Sequence, residues 1–451
     1  MNPTALWWIR RDLRLTDNAP LQAAIKIGEV LPIFILDPHL LSRPAVRRLS
    51  FLFEGLFTLD RDLRARGSYL ILRSGDPLDV LQMLMQETGS RSIFAEEDFT
   101  PYARQRDMRI MHALPLTLTA GQTVYHPGNI LKNDGKPYTV YTPYSKIWKA
   151  RLKGIDLIPA PGNIPTSTGI SSEPLPEFSP NPQFPSGEQE ALVRLEEFTF
   201  QRIHSYIENR DRMDLEGTSA LSPYLRFGML GLGQAVHAAK KALGQNKSSG
   251  AETWLNELIW HEFYIQILYH FPQVTKTAFN PALANIPWRN DLHDFEAWKR
   301  GNTGVPVVDA AMRQLRETGW MHNRARMIVA SFLVKDLLID WRWGEEWFME
   351  NLLDGDIAAN NGGWQWTAGT GTDAAPYFRI FNPVLQSLKF DPNGDYIRRW
   401  VPELRDLDGR HVHAPWEKGI KIQDYPETPI VDRAIVKERT LEAYRSSIGN
   451  N

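Results

Sequence analysis

Residues 5–14, Ala5-Leu6-Trp7-Trp8-Ile9-Arg10-Arg11-Asp12-Leu13-Arg14, set a short apolar run directly against a basic one. Five apolar residues ended by charge read as a strand buried on both faces. Val30–Leu36, Tyr69–Leu72, Ser92–Phe94 and Leu116–Leu118 repeat the pattern, and Leu49–Arg66, Pro77–Thr88 and Pro101–Leu114 between them have helical periodicity. Strand–helix alternation predicts a Rossmann-like α/β domain over residues 1–130, a parallel sheet with helices on both faces. No Gly-x-Gly-x-x-Gly follows the first strand, so an ordinary nicotinamide site is not expected there.

Outward from that domain the composition changes. Residues 131–195 read as a linker between domains, with eight prolines from Pro159 to Pro185. Residues 196–451 read as an all-helical domain, with helices expected over Glu190–Asn209, Ala251–His270, Val305–Thr318 and Met321–Leu338. The chain has 451 residues, enough for two cores. It has no cysteine, which excludes disulfides, thiolate metal sites, iron–sulfur clusters and a thiol nucleophile. A net charge of −2 leaves any phosphate binding to a local basic face. No apolar run is long enough to span a membrane, and the first residues lack a signal-peptide pattern, so a cytoplasmic address without a membrane partner is expected. Eleven of the 15 Trp lie between Trp254 and Trp400. Core packing accounts for any one of them, whereas the clustering suits stacking on flat ligands or electron relay.

Several segments could carry chemistry. Asn323, Arg326, Met327 and Ala330 share one helical face, and Arg326 there needs a carboxylate, which Asp354-Gly355-Asp356 offers. The pair suits a structural salt bridge or a charged wall against a cofactor. Asn360-Asn361-Gly362-Gly363-Trp364-Gln365-Trp366 is a poor helix interior and suits either a glycine-rich turn or close approach to a heterocycle. The segment Glu216–Pro223 packs hydroxyls and small residues before a helix, to grip phosphate or to cap that helix. Glu257, Trp260 and Tyr264 recur at helical spacing. His261-Glu262 lacks the second His of a zinc protease, since Ile265 stands there, and no metal site is expected. His204, His237 and His322 read as surface or core residues. Arg324, Arg326, Arg379, Lys389, Arg398 and Arg399 interleave with Phe378, Phe381, Phe390 and Trp400, a pattern that suits phosphates with unstacked bases or an ordinary solvated face.

Taken together these segments resemble the photolyase/cryptochrome family, and within it the bacterial class I cyclobutane pyrimidine dimer photolyases. The resemblance rests on residues 8–15, 216–219, 255–260, 307–315, 318–324, 354–356, 359–366 and 378–383. It implies an α/β antenna domain, a helical domain with noncovalent FAD, and light-driven splitting of the dimers. FAD would be held by Tyr206, Thr218, Ser219, Ala220, Leu221, Ser222, Trp254, Arg326, Asp354, Gly355, Asp356 and Asn360, with Asn360 beside flavin N5. Glu257, Trp260, Asn323, Met327 and Trp366 would meet the lesion. Trp288, Trp341 and Trp364 would relay electrons to the flavin. Arg210, His261, Arg324, Arg379 and Lys389 would contact DNA. The implied partner is UV-damaged DNA with its dimer flipped out, and photolyases are among the enzymes that take their target base out of the stack. A monomer is expected.

Two departures matter. His261 stands where relatives of this kind usually have Arg. The folate-antenna pattern is absent near Tyr102-Ala103, and Asp98–Arg106 resembles a deazaflavin-binding stretch, which points to Asp98 and Arg106 and favours deazaflavin over methenyltetrahydrofolate. The same fold also serves cryptochrome photoreceptors and six-four photolyases. Asn360 argues against the first, and His322-Asn323 with Met327, in place of a His pair, against the second. A non-enzymatic single-strand binder would leave Asp354-Gly355-Asp356 and the Glu216–Ser222 loop without a purpose.

Overall fold

The computed structural model describes residues 3–42, 45–246 and 248–449. Five strands, β1 (Thr4–Ile9), β2 (Glu29–Leu36), β3 (Ile71–Ser74), β4 (Ser92–Glu96) and β5 (Leu116–Thr119), form one sheet in the order β3-β2-β1-β4-β5. All pairings are parallel, with Leu6 opposite Leu31 and Ile93. Parallel neighbours require crossovers, and helices Ala19–Ile25, Val46–Arg64, Pro77–Thr88 and Pro101–Ala113 supply them. Leu6, Trp8, Ile33, Ile71 and Ile93 meet in the resulting core. The strand order reverses between β1 and β4, so the crevice at their carboxyl ends, beside Arg10 and Asp98, is the topological switch point.

β3 begins two residues later than the apolar run predicts. Side chains hold the run's first residues instead of the ladder: the Leu70 amide donates to Asp60, and Tyr69 Oη donates to the Ser167 carbonyl. β3 is also an edge strand, and the proline-rich segment runs along it. Glu173 donates its amide to the Leu72 carbonyl, while Leu72 donates to Ser172 Oγ. The linker thus covers a strand edge that would otherwise offer unpaired groups.

Among the described residues no strand follows β5, and the regular elements after it are all helical. The chain divides into two compact units, Met1–His204 with Ser219–Pro272, and Ser205–Thr218 with Gln273–Asn451. In the first, the basic run after β1 is spent on the chain itself. Leu13 donates to the Phe227 carbonyl, Arg11 to that of Arg226 and Arg14 to that of Gly228. Gly228 (φ 62°) is needed at this crossing, because a Cβ there would lie 1.8 Å from the Arg11 carbonyl oxygen. In the second unit, Val308, Leu315, Val329, Leu333, Trp341 and Trp364 belong to one buried cluster.

Three helices differ from their periodicity. Glu190–Asn209 is not one helix: Glu188–Glu197 passes into a π-helical turn at Phe198–Arg202, then a short 3-10 turn and Tyr206–Asn209. The turn buries Phe198 against Trp254, at 5.0 Å, and Thr199 Oγ1 bonds back to the Leu195 carbonyl. The helix expected from Met321 starts at Asn323, because His322 caps it by accepting the Arg324 amide on Nδ1, and it turns π-helical at Phe332–Asp336. Asn360–Trp366 lies inside a regular helix, Ile357–Ala368, against its propensity. Asp356 caps that helix through the Ala358 and Ala359 amides, and Gly369 ends it in the left-handed conformation. Its amides are satisfied from outside: Asn361 donates to the Val274 carbonyl at 3.0 Å, and Gln365 to those of Val274 and Thr277.

Candidate functional site

In the second unit, three pieces carry the candidate residues: helix Asn323–Ser331, the turn at 352–356 and helix Ile357–Ala368. Arg326 donates to the Met321 carbonyl at 2.9 Å and to Asp354 Oδ2 at 2.8 Å. This is the ion pair that the spacing called for. The Asp354 side chain is 3% exposed, and its other oxygen, Oδ1, is buried with no hydrogen-bond partner. A carboxylate with one oxygen on a guanidinium and the other unsatisfied suits a ligand edge that brings donors. Asp356 spends its side chain on the helix cap, and Gly355 shapes the turn by donating to the Leu352 carbonyl. Asn360 Nδ2 donates to the Glu345 carbonyl at 2.9 Å, which commits the amide nitrogen and leaves Oδ1 as that side chain's acceptor. The Glu345 carboxyl, pushed up to about 7 by burial against the pull of its Asn361 hydrogen bond, lies one residue further along the same network.

Asn323 is exposed and Met327 half-buried on their helix, and Trp366 is half-buried on the next. Trp364 is 2% exposed, edge-on to Phe348 at 5.0 Å and to Trp298 at 6.2 Å. Gly344 makes room for it, since a Cβ there would lie 2.1 Å from the indole. Trp341 is buried in the same cluster, against which Trp288 packs from its partly buried position.

Arg210 and Arg324 share a carboxylate that the sequence did not single out. Arg324 reaches Asp211 at 2.8 Å and Arg210 reaches it at 3.9 Å. The Arg324 guanidinium also lies 4.4 Å from the centre of the Phe390 ring, and Lys389 and Arg379 lie over Phe390 and Phe381. Arg398, by contrast, bonds to the Leu407 and Asn393 carbonyls and serves its own loop. Tyr206 is buried beneath Arg210. Thr218 is half-buried after Gly217, where a Cβ would meet the Asn209 carbonyl at 2.4 Å.

His322 is a core histidine, 3% exposed. Burial, with Arg324, Arg326 and Arg210 nearby, lowers its pKa from 6.5 to about 4 against the pull of Asp211. A depressed folded pKa gives stability that is present above pH 6.5 and lost as pH falls toward 4. The loss amounts to about 3 kcal/mol. His322→Asn keeps a capping oxygen. Its unfolding midpoint is expected to fall less than that of the parent between those pH values; parallel pH profiles would contradict this.

In the first unit, Ser219, Ala220 and Leu221 precede helix Ser222–Arg226, with Ala220 in the left-handed region at φ 49° and Leu221 buried. Helix Ser249–His270 carries Trp254, buried, and Glu257 and Trp260, both half-buried. Trp260 stacks on Tyr141. Glu262 is buried and accepts from the Val124 and Tyr125 amides and Trp148 Nε1, which explains a carboxylate in an apolar helix without any metal. His261 lines a small polar pocket with Arg11, Arg14, Glu96 and Gln122.

At the switch point, Arg10 grips Asp107 through two contacts of 2.6 and 2.7 Å. Arg10 and Arg106 lie 4.8 and 4.7 Å from the Trp8 ring centre. Burial works to raise the Asp98 carboxyl, but Arg11 and Arg10 hold it below its ordinary value. Tyr102 stacks on His39 at 4.1 Å and donates to Asp37 at 2.5 Å. Aromatic rings and paired charges thus meet at the place where open α/β sheets bind ligands.

Comparison with known proteins gives one consistent match. Residues 5–164 match the family model described as DNA photolyase, and residues 254–446 match the FAD binding domain of DNA photolyase. The deoxyribodipyrimidine photo-lyase of Salmonella typhimurium is 41% identical, over 99% of both chains. The structure of a bacterial class III photolyase from Agrobacterium tumefaciens superposes with a TM-score of 0.94 at 36% identity, covering 99% of this chain and 98% of that one. A Synechocystis cryptochrome superposes with a TM-score of 0.88 at 30% identity, covering 98% and 99%.

Proposed function

The chain belongs to the photolyase/cryptochrome family, and we propose that within it the protein is a DNA photolyase that splits cyclobutane pyrimidine dimers under light. The observation that carries this reading is the Arg326–Asp354 pair with its unsatisfied Asp354 Oδ1, followed by Asn360. A buried carboxylate oxygen awaiting a donor fits the mixed donor and acceptor edge of a flavin. When bound, reduced FAD supplies photoexcited single-electron donation.

The residues then divide the remaining work. Arg326 and Asp354 would orient the ring system, and Asn360, whose Nδ2 is already committed to the Glu345 carbonyl, would offer its oxygen to a flavin N–H, which would favour the reduced form. Thr218, Ser219, Ala220, Leu221 and Ser222, with Tyr206, hold the phosphates and ribityl chain, and Trp254, Gly355 and Asp356 complete the cofactor set. Trp260 is assigned an aromatic face for the extruded dimer, and in the second unit Trp366, Asn323 and Met327 are assigned to the same lesion. Glu257 hydrogen-bonds a thymine and holds it as charge develops. Arg210, Arg324, Arg379 and Lys389, with His261, contact DNA. Trp288, Trp341 and Trp364 carry electrons inward to reduce the resting cofactor. An antenna chromophore, a deazaflavin rather than methenyltetrahydrofolate, would use Asp98 and Arg106. We assign the protein to the cytoplasm, acting on DNA as a monomer; no helix among the described residues is long and apolar enough to cross a membrane.

A cryptochrome-type photoreceptor is the second reading, supported by the Synechocystis superposition. Fold does not separate the two. The higher identity to the Salmonella enzyme and the amide at position 360 favour repair. The cofactor assignment is tested by denaturing the purified protein and assaying the released flavin. One noncovalent FAD per chain is expected, and a colourless protein that takes up no FAD contradicts it.

Glu257→Ala is expected to lower the repair yield per absorbed photon several-fold while dark affinity for dimer-containing DNA changes less, because one hydrogen bond to a charged state is worth about 1.5–3 kcal/mol. An unchanged yield would remove Glu257 from the chemistry.

A further inference from the structure

Trp260 does not stand alone on its helix. The Tyr141 ring lies 3.8 Å from it, centre to centre, with 5° between the planes. Aromatic pairs usually prefer offset or edge-on packing, so a nearly cofacial pair needs an external constraint. The Tyr141 hydroxyl provides one by donating to the Asn256 carbonyl at 2.8 Å. That carbonyl is the one that accepts the Trp260 amide in an α-helix, so ring and hydroxyl bind the same turn.

The element bearing Tyr141 is itself fixed. Helix Tyr141–Arg151 buries Tyr144 and Trp148, with Tyr144 against Phe263 at 5.3 Å and Trp148 Nε1 on Glu262 at 2.9 Å. Lys149 reaches Glu252 at 3.0 Å. The indole of Trp260 also meets Phe263 edge-on and Tyr264 at a tilt, both at 5.5 Å. One face is therefore covered and two neighbours restrict rotation. Trp260 nevertheless keeps part of its surface exposed, being half-buried.

We infer that Tyr141 is a positioning residue for the lesion. It backs the Trp260 indole and presents a single, pre-oriented face to the pyrimidine dimer. This rests on the proposed role of Trp260. A ring already held in its bound orientation loses little conformational freedom when a flat ligand stacks on it. Undamaged duplex keeps its bases stacked and does not use that face, so the effect is confined to damaged DNA.

The test is dark binding to an oligonucleotide carrying one thymine dimer and to the same sequence undamaged. Tyr141→Phe gives up the hydroxyl's hold on the Asn256 carbonyl but keeps an aromatic face on a helix fixed by Tyr144 and Trp148, and is expected to lose at most about threefold for the dimer and nothing for undamaged DNA. Tyr141→Leu removes the aromatic face and is expected to bind the dimer about five- to tenfold more weakly, with undamaged DNA unchanged. Trp260→Ala should weaken dimer binding by at least as much. The double variant Tyr141→Leu/Trp260→Ala should bind like Trp260→Ala, because Tyr141 acts through that indole.

If Trp260→Ala weakens dimer binding but Tyr141→Leu does not, the inference fails and the lesion role of Trp260 stands. It fails equally if the Tyr141→Leu loss persists in full without Trp260, or falls on undamaged DNA as well. If Trp260→Ala binds the dimer normally, the role of Trp260 falls and the positioning role falls with it. Should the Leu variant not fold, Tyr141→Met, also without an aromatic face, decides by the same outcomes.

Discussion

Asp354→Ala is expected to destabilise the second unit by about 3 kcal/mol and to yield protein nearly free of flavin. The carboxylate is 3% exposed and is the only one paired with the Arg326 side chain among the described residues, while Arg326 keeps 24% of its exposure. Removing one partner of a buried pair strands the other, and the cost exceeds what the pair itself contributes. Residual exposure of Arg326 keeps the loss at the low end of the usual range. Arg326 retains the Met321 carbonyl, so the helix start should survive. Asp354→Asn separates charge from geometry: an amide oxygen can still accept from Arg326, so its stability loss should be smaller. Denaturant midpoints and released flavin check both variants. A full FAD complement and a parental midpoint in Asp354→Ala would remove this pair from the account.

Trp364→Phe is expected to abolish photoreduction of the oxidised cofactor and to leave repair by chemically prereduced protein intact. The indole is 2% exposed and wedged between Phe348, Trp298 and the space opened by Gly344. Phenylalanine refills most of that volume, so the packing cost stays about 1–2 kcal/mol and the fold survives. Phenylalanine is far harder to oxidise than tryptophan, so the relay loses a station while the binding groups keep their places. Absorbance under illumination with an external reductant, followed by repair after dithionite reduction, separates the two steps. Loss of repair in the prereduced variant would place Trp364 in the chemistry itself and overturn the relay assignment.

Much of this was legible in the chain because local chemistry decided it. Apolar runs between amphipathic stretches gave the parallel sheet. Arg326 demanded a carboxylate, and Asp354 answers it. The misreadings share a cause, which is that distant groups overrode local preference. Asn360–Trp366 is poor helix material, yet it forms a helix because Val274 and Thr277, nearly 90 residues earlier, accept from its amides. The basic run after β1 argues against an ordinary nicotinamide site, but nothing local shows that Arg11 and Arg14 donate to carbonyls more than 200 residues away. Asp211, which gathers Arg210 and Arg324, carries no local signal that distinguishes it from any surface aspartate. Tyr141 likewise stands in a segment read as linker, and only the fold brings it onto Trp260.

The central claim is that this chain turns absorbed light into repair. It is tested most directly by incubating prereduced, FAD-loaded protein with an oligonucleotide carrying one cyclobutane thymine dimer, in parallel under blue or near-ultraviolet light and in darkness, and counting restored thymines. Many turnovers per chain are expected in the light and none in the dark, with no net consumption of reductant. Equal repair in both arms, or none in either, would contradict the claim.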